Sequence, residues 1–154
     1  DTYSKLFREF DLDFECRIKP NQGRDFSAYC IAARDIYDKY DYVCCLKDKK
    51  APHTSYLAAE SFDKQCWDSV LFSRDYVNNC LRLFYDHHSA GMIFSPPPNF
   101  GPYIALGNEM SKDRQHVLYL WKELKLQIPQ EESDLIAPFG SIFWMANYHF
   151  KCKA

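Results

Sequence analysis

A polar stretch at residues 19–25, Lys-Pro-Asn-Gln-Gly-Arg-Asp, carries side chains that could bind an anionic ligand. Pro20 has no N–H to give to a β-ladder, and Gly23 tolerates left-handed backbone angles, so the stretch predicts a turn. Arg24 lies in this turn, and its planar fork of donors suits a phosphate or a carboxylate. The alternative is structural: an Asx-turn caps a helix, and Arg24 pairs with Asp25 or Asp48.

A second polar cluster, Lys47-Asp-Lys-Lys50, follows an apolar run and is itself followed by His53. Asp48 is its one carboxylate, and neighbouring lysines oppose a cation, so the cluster predicts a weak Mg²⁺ or Mn²⁺ site at best. The same lysines could neutralise a leaving diphosphate directly. The alternative is a solvated basic loop.

These two clusters need elements that hold them. The sequence predicts a strand at 14–18, a helix that Asp25 caps, and a strand at 41–46, which together form a βαβ unit with a site at its carboxyl edge. Further helices are predicted at 65–72 and from the N-cap Ser73 to His87 and His88, which cap the helix C-terminus or, alternatively, ligate a metal. These helices alternate with short buried strands at 91–95 and 140–145, the last with a bend at Gly140-Ser141. This alternation predicts an α/β fold, an open and mainly parallel sheet with helices on both faces.

Composition limits the class of protein. The chain has 154 residues, 47% hydrophobic and 26% charged, which is typical of one soluble globular domain. Its net charge of −2 argues against nucleic acid as a partner. Seven cysteines without a Cys-x-x-Cys pair predict buried free thiols in a reducing cytoplasm rather than a zinc site.

Four motifs resemble the rhamnan synthesis F family of bacterial glycosyltransferases. They are the Asn-x-Gly-Arg-Asp turn, the Tyr-Asp-Tyr strand that ends in Lys-Asp-Lys-Lys, the run 95–101 with Leu-Gly-Asn-Glu at 106–109, and Ala-Pro-Phe-Gly-Ser-Ile-Phe-Trp at 137–144. The resemblance extends over residues 14–148. Four motifs in the same order are far more specific than any one of them.

The resemblance implies a partial GT-A-like sheet and a glycosyltransferase. The donor would be a nucleotide sugar similar to dTDP-rhamnose, and the acceptor a growing bacterial surface polysaccharide. The enzyme would work in the cytoplasm, at the inner face of the membrane, with peripheral association through a lipid-linked acceptor. The alternative is a non-catalytic module that binds a nucleotide sugar or a glycan.

The resemblance also implies roles for individual residues. Glu109 would be the general base and Asp48 a second catalytic carboxylate with a weak metal role, while Glu132 and Asp134 are rival bases. Trp144 would be a platform for a sugar ring, with a core tryptophan as the alternative. The substrate-binding residues would be Asn21, Gly23, Arg24, Asp25, Lys49, Lys50, His53, Asn108, Gly140, Ser141 and Trp144.

In the resembled family, a strand, a helix and part of a second strand precede the first residue of this chain. We therefore expect residues 1–154 to form a single glycosyltransferase-like domain without the first strands of the complete fold. An open sheet edge would then favour a homodimer or poor donor binding. We also expect Tyr3, Phe7 and Phe10 to pack on the 14–18 strand or on a neighbouring chain.

Overall fold

The computed structural model of the chain describes residues 2–48, 56–96, 110–125 and 138–147. The chain divides into two compact units, unit 1 at residues 1–41 and unit 2 at residues 42–154. In the described part of unit 1 all the regular structure is helical. Its elements are α1 (Thr2–Glu9), α2 (Arg24–Ser27), a π-helical turn (Ala28–Ala32) and α3 (Arg34–Tyr37).

The predicted strand at 14–18 is wrong. This segment has no regular secondary structure, and Ile18 is 97% exposed. Without a partner strand to satisfy its backbone groups, a β-like pattern does not make a strand. The rings of Phe7 and Phe14 lie 5.4 Å apart, as expected for Phe7, but Phe10 is exposed. The side chain of Tyr3 lies outside the described residues.

The predicted helix after the turn exists but is broken into three pieces. Gly23, not Asp25, is the N-cap of α2, and Asp25 belongs to the first turn of the helix. The π-helical turn follows at once, and the backbone leaves helical geometry at Ala33 before α3 begins. Apolar spacing predicted the helical region but not its change of pitch.

Unit 2 combines longer helices with a small sheet. Its described elements are β1 (Tyr42–Cys45), α4 (Tyr56–Leu71), α5 (Arg74–Asp86), β2 (Met92–Phe94), α6 (Met110–Glu123), a 3₁₀ turn (Phe139–Ser141) and β3 (Phe143–Ala146). All three predicted strands of this unit are present. Helix α4 begins at Tyr56, well before the start predicted at Gln65.

The predicted GT-A-like, mainly parallel sheet is wrong. The described strands form a three-stranded sheet in the order β1-β3-β2, and β3 is antiparallel to both neighbours. Because β1 and β2 oppose the same central strand, they run in the same direction without touching. Most of the other described residues are helical. The described part of the chain is therefore largely helical, with a small antiparallel sheet.

Helices α4 and α5 pack on one face of this sheet. Cys66 and Val70 of α4 form a fully buried cluster with Ile142, and the half-buried Trp144 packs against it. On α5, Phe84 is fully buried and its ring stacks on Tyr42 at 5.4 Å. Apolar burial of this kind is the main stabilising contribution to the unit.

Local signals at two helix ends were confirmed. Ser73 is the N-cap of α5, where its side chain accepts a hydrogen bond from the backbone N–H of Tyr76 at 3.1 Å. His87 is the C-cap of the same helix. Among the described residues, no helix combines the length and apolar character needed to cross a bilayer.

The cysteines are less uniformly buried than expected. Cys45, Cys66 and Cys80 are buried, as predicted for free thiols in a core. Cys16 and Cys30, both in unit 1, are exposed. Their burial was inferred from a strand that does not form and from a helix that lies on the surface of its small unit.

Candidate functional site

The turn that precedes α2 is tightly built. Gly23 has a φ of 70°, and a Cβ added there would lie 2.8 Å from the Cβ of Ser27, so glycine is required for both conformation and space. Arg24 follows with a φ of 48°, which is left-handed and costly for a residue with a side chain. We call this segment, residues 20–24, the arginine turn.

Two side chains stabilise the arginine turn from within. The Nζ of Lys19 donates to the carbonyls of Pro20 and Gln22, at 3.1 and 3.3 Å. The hydroxyl of Ser27 lies within hydrogen-bond distance of the carbonyls of Gln22 and Arg24, 2.9 Å from the latter. Neither contact was predicted, although a Lys and a Ser that flank a glycine turn are a plausible local signal.

The side chain of Arg24 takes no part in these contacts. The residue is exposed, and among the described residues its guanidinium makes no ion pair. Asn21 and Gly23 are exposed beside it, and Asp25 is half-buried in the first turn of α2. The four residues predicted for this site therefore lie together in unit 1, with the arginine fork accessible to a ligand.

Arg17 fixes the loop that leads into the turn. Its Nη1 donates to the carbonyl of Ala32 at 2.6 Å. Nη1 and Nη2 both donate to the carboxylate of Asp35, and the distance from Nη2 to Oδ2 is 2.9 Å. Its Nε donates to Glu15 at 2.6 Å. This arginine ties an otherwise irregular segment to the helical one. No local sequence pattern predicts these contacts of Arg17, because Ala32 and Asp35 are 15 and 18 residues away.

The Arg17–Asp35 pair predicts a measurable acid transition. The hydrogen bonds from Arg17 lower the pKa of Asp35 from 3.8 to about 2. Because this pKa is depressed in the folded state, the pair stabilises unit 1 fully above about pH 4, and the stabilisation is lost as the pH falls to about 2. A carboxyl ¹³C NMR titration should report a pKa near 2 for Asp35 and a value near 3.8 in Arg17→Met.

The matched control for this titration is Arg34→Met, which removes an exposed arginine next to Asp35 in the sequence but not a partner of its carboxylate. In this variant the pKa of Asp35 should stay low. A pKa of Asp35 near 3.8 in the unsubstituted chain would show that the pair does not form in solution.

In unit 2 three of the predicted residues follow or precede strands at one edge of the sheet. Cys45 pairs with Phe143, so the end of β1 lies beside the start of β3, and the end of β2 reaches the same edge because Phe94 also pairs with Phe143. We call this the carboxyl edge. Asp48, exposed, follows β1 there, while Gly140 and Ser141 lead into β3.

Gly140 and Ser141 shape the carboxyl edge through their backbone. Both have left-handed φ values, 74° and 56°, and the N–H of Ser141 donates to the carbonyl of Pro138 at 3.1 Å. The bend predicted from this Gly-Ser pair is present, and both residues are half-buried. The predicted βαβ unit, with a site at its carboxyl edge, is wrong, because the strand at 14–18 does not form and β1 pairs with the antiparallel β3.

Trp144 is engaged in the core of unit 2. Its indole N–H donates to the carbonyl of Val70 at 3.0 Å, and its ring packs on the Cys66, Val70 and Ile142 cluster. An indole held at both its polar and apolar parts has a structural role. These contacts favour the core tryptophan over the sugar platform.

Several predicted residues lie outside the described part of the chain, namely Lys49, Lys50, His53, Asn108, Glu109, Glu132 and Asp134. Within the described part, no group of three or more His, Cys, Asp or Glu side chains could hold a metal ion. His87 and His88, considered as ligands, are exposed at the end of α5, where the ring of His88 meets Tyr85 at 6.3 Å.

One surface feature was not foreseen from the sequence. An open groove of about 680 Å³ runs along the solvent side of α4 to the start of α5. It is lined by Ser61, Lys64, Gln65, Asp68, Ser69, Phe72 and Tyr76. The signal was available in part, since polar residues at 61, 64, 65 and 68 share one helical face, but that pattern is also typical of any solvated helix.

The family follows from comparison with known proteins. Residues 3–151 match the model of the family described as rhamnan synthesis protein F, so the chain belongs to this family, as its motifs indicated. Membership associates it with the synthesis of rhamnan, a polysaccharide. Comparison with curated proteins and with solved structures gave no match.

Proposed function

We propose that this protein is a glycosyltransferase that moves a sugar from a nucleotide-activated donor to a growing polysaccharide, and that the sugar is rhamnose. The observation that carries the proposal is the match of residues 3–151 to the rhamnan synthesis family. Rhamnan is built from sugar units, and each glycosidic bond needs an activated donor. Support also comes from the arginine turn, which offers an accessible guanidinium on a constrained backbone.

The proposed reaction has a simple balance. An acceptor hydroxyl oxygen bonds to C1 of the donor sugar, the bond from C1 to the diphosphate oxygen breaks, and the nucleoside diphosphate leaves with the electron pair. The acceptor proton passes to a carboxylate, for which we propose Glu109. Negative charge develops on the leaving group, so cationic donors near it stabilise the transition state.

We propose that Arg24 binds the donor diphosphate, since a guanidinium fork can donate two hydrogen bonds to phosphate oxygens. Asn21 and Asp25 would bind the ribose or base. In unit 2, Lys49 and Lys50, with the half-buried Lys47 before Asp48, are a separate candidate for neutralising a leaving diphosphate. Asn108, His53, Gly140 and Ser141, also in unit 2, are proposed as substrate contacts there.

The direct test is transfer by the purified chain. Radiolabelled dTDP-rhamnose and a rhamnose oligosaccharide are incubated with the protein, and extension of the oligosaccharide is measured; calorimetry with dTDP-rhamnose measures binding separately. Extension supports the proposal. Donor binding without extension would favour a non-catalytic module, and absence of both would contradict it.

Donor binding is expected to depend little on divalent metal. Asp48 lies among lysines in the sequence, and their positive charge repels a divalent cation, so the carboxylate binds the cation weakly. Affinity for dTDP-rhamnose in EDTA should be within about tenfold of that in Mn²⁺, a difference below about 1.4 kcal/mol. A larger loss in EDTA would mean that carboxylates elsewhere in the chain hold a metal on the diphosphate.

A further inference from the structure

The groove along α4 has the chemistry of a carbohydrate-binding surface, and we propose that it holds a neutral glycan chain. Its contribution to the proposed transferase would be to hold the acceptor polysaccharide. The groove is argued from its own contacts, while the choice of a rhamnose-containing glycan rests on the proposed function.

The aromatic end of the groove is exposed and held in place. Phe72, just beyond α4, is 67% exposed, so its ring is accessible to a ligand. Tyr76 lies on the first turn of α5, and its hydroxyl donates to the carbonyl of Ser69 at 3.1 Å. A ring fixed in this way offers a preformed apolar wall, which suits the C–H face of a sugar.

The polar floor of the groove is suited to hydroxyl groups. The ammonium of Lys64 pairs with Oδ2 of Asp68, while Oδ1 of Asp68 accepts no hydrogen bond from a described residue. A carboxylate oxygen that lacks a partner is a good acceptor for a sugar hydroxyl. The pair cancels in charge, so the groove favours a neutral ligand over a phosphate or an acidic chain.

The groove is joined to the carboxyl edge of the sheet. Gln65, in its floor, donates through Nε2 to the carbonyl of Pro96 at 3.3 Å, and Pro96 lies two residues past the end of β2. Ser69, one turn further along α4, donates to the carbonyl of Gln65 at 2.7 Å. A glycan bound in the groove would therefore lie near Pro96, which follows β2 at that edge.

The test is an NMR titration of the full chain with a rhamnose trisaccharide, in the absence of any nucleotide sugar. Amide resonances of residues 61–76 should shift on titration. Phe72→Ala should weaken the trisaccharide affinity about two- to tenfold, the range for loss of one aromatic contact. Asp68→Asn should weaken it as well, because an amide oxygen is a weaker hydrogen-bond acceptor than a carboxylate oxygen.

Tyr85→Ala is the matched control, since Tyr85 is similarly exposed, at 72% against 67% for Phe72, and lies on α5 outside the groove. It should leave the affinity unchanged. Absence of shifts in the groove, or equal effects of Phe72→Ala and Tyr85→Ala, would overturn the inference. So would shifts at the same amides with an unstructured peptide but not with the trisaccharide, which would make the groove a protein-docking surface.

The titration separates this inference from the proposed function. Because no donor is present, trisaccharide binding in the groove can be observed whether or not the chain transfers sugar. Transfer that proceeds without binding in the groove would overturn the inference alone. Binding in the groove without transfer would support the inference and contradict the proposed activity.

Discussion

Replacing Phe84 with alanine is expected to lower the free energy of unfolding of unit 2 by about 3–5 kcal/mol, the range for deletion of a fully buried aromatic ring. Phe84 is 0% exposed and stacks on Tyr42, so its ring joins α5 to β1. Deletion removes buried apolar area and leaves a cavity that the surrounding side chains cannot fill completely. Urea unfolding followed by tryptophan fluorescence measures the loss, because all three tryptophans belong to unit 2.

The neighbouring residue supplies the control for this experiment. Tyr85 lies on the same helix but is 72% exposed, so Tyr85→Ala should change stability by less than about 0.5 kcal/mol. Similar losses for the two variants would mean that α5 is not packed on the sheet through Phe84. The placement of Phe84 in the core of the unit would then be wrong.

Elements with strong local signals were predicted correctly. The Ser73 cap and the apolar positions that follow it define α5 within the sequence, and the structure has both. The three strands of unit 2 are short apolar runs bounded by polar or turn residues, and all three form. In each case the deciding interactions lie within a few residues, so a sequence pattern contains them.

The arrangement of the strands could not be read in the same way. β3 lies between β1 and β2, and its pairing of Ala146 with Tyr42 joins residues about a hundred positions apart. Alternation of helices and strands predicts a parallel sheet only if successive strands become neighbours. Here the last strand separates the first two, and no local pattern records that insertion.

Unit 1 shows the same limit on a smaller scale. The alternating residues of 14–18 are typical of a strand, yet the segment is held by the side chain of Arg17 rather than by a ladder. Of the candidate site, Gly23 could be predicted because a left-handed turn favours glycine. The clamp between Arg17 and Asp35 could not, since it depends on how the chain folds back.

The larger functional prediction concerns Arg24. Arg24→Ala is expected to weaken binding of dTDP-rhamnose by about 1.5–3 kcal/mol, or about 10- to 150-fold, the range for hydrogen bonds to a charged group. The guanidinium is exposed and makes no ion pair with a described residue, so its removal leaves no buried charge behind. Calorimetry with dTDP-rhamnose and with dTDP measures the loss for the whole donor and for its nucleotide part.

Two further variants assign the effect to the guanidinium. Arg34→Ala removes another exposed arginine of unit 1, outside the turn, and should leave affinity unchanged. Arg24→Lys keeps the charge without the planar fork, so it should recover part of the affinity if phosphate is the ligand. Equal binding by Arg24→Ala and the unsubstituted chain would show that the diphosphate does not bind at the arginine turn. An equal loss in Arg34→Ala would reduce the role of Arg24 to general positive charge on unit 1.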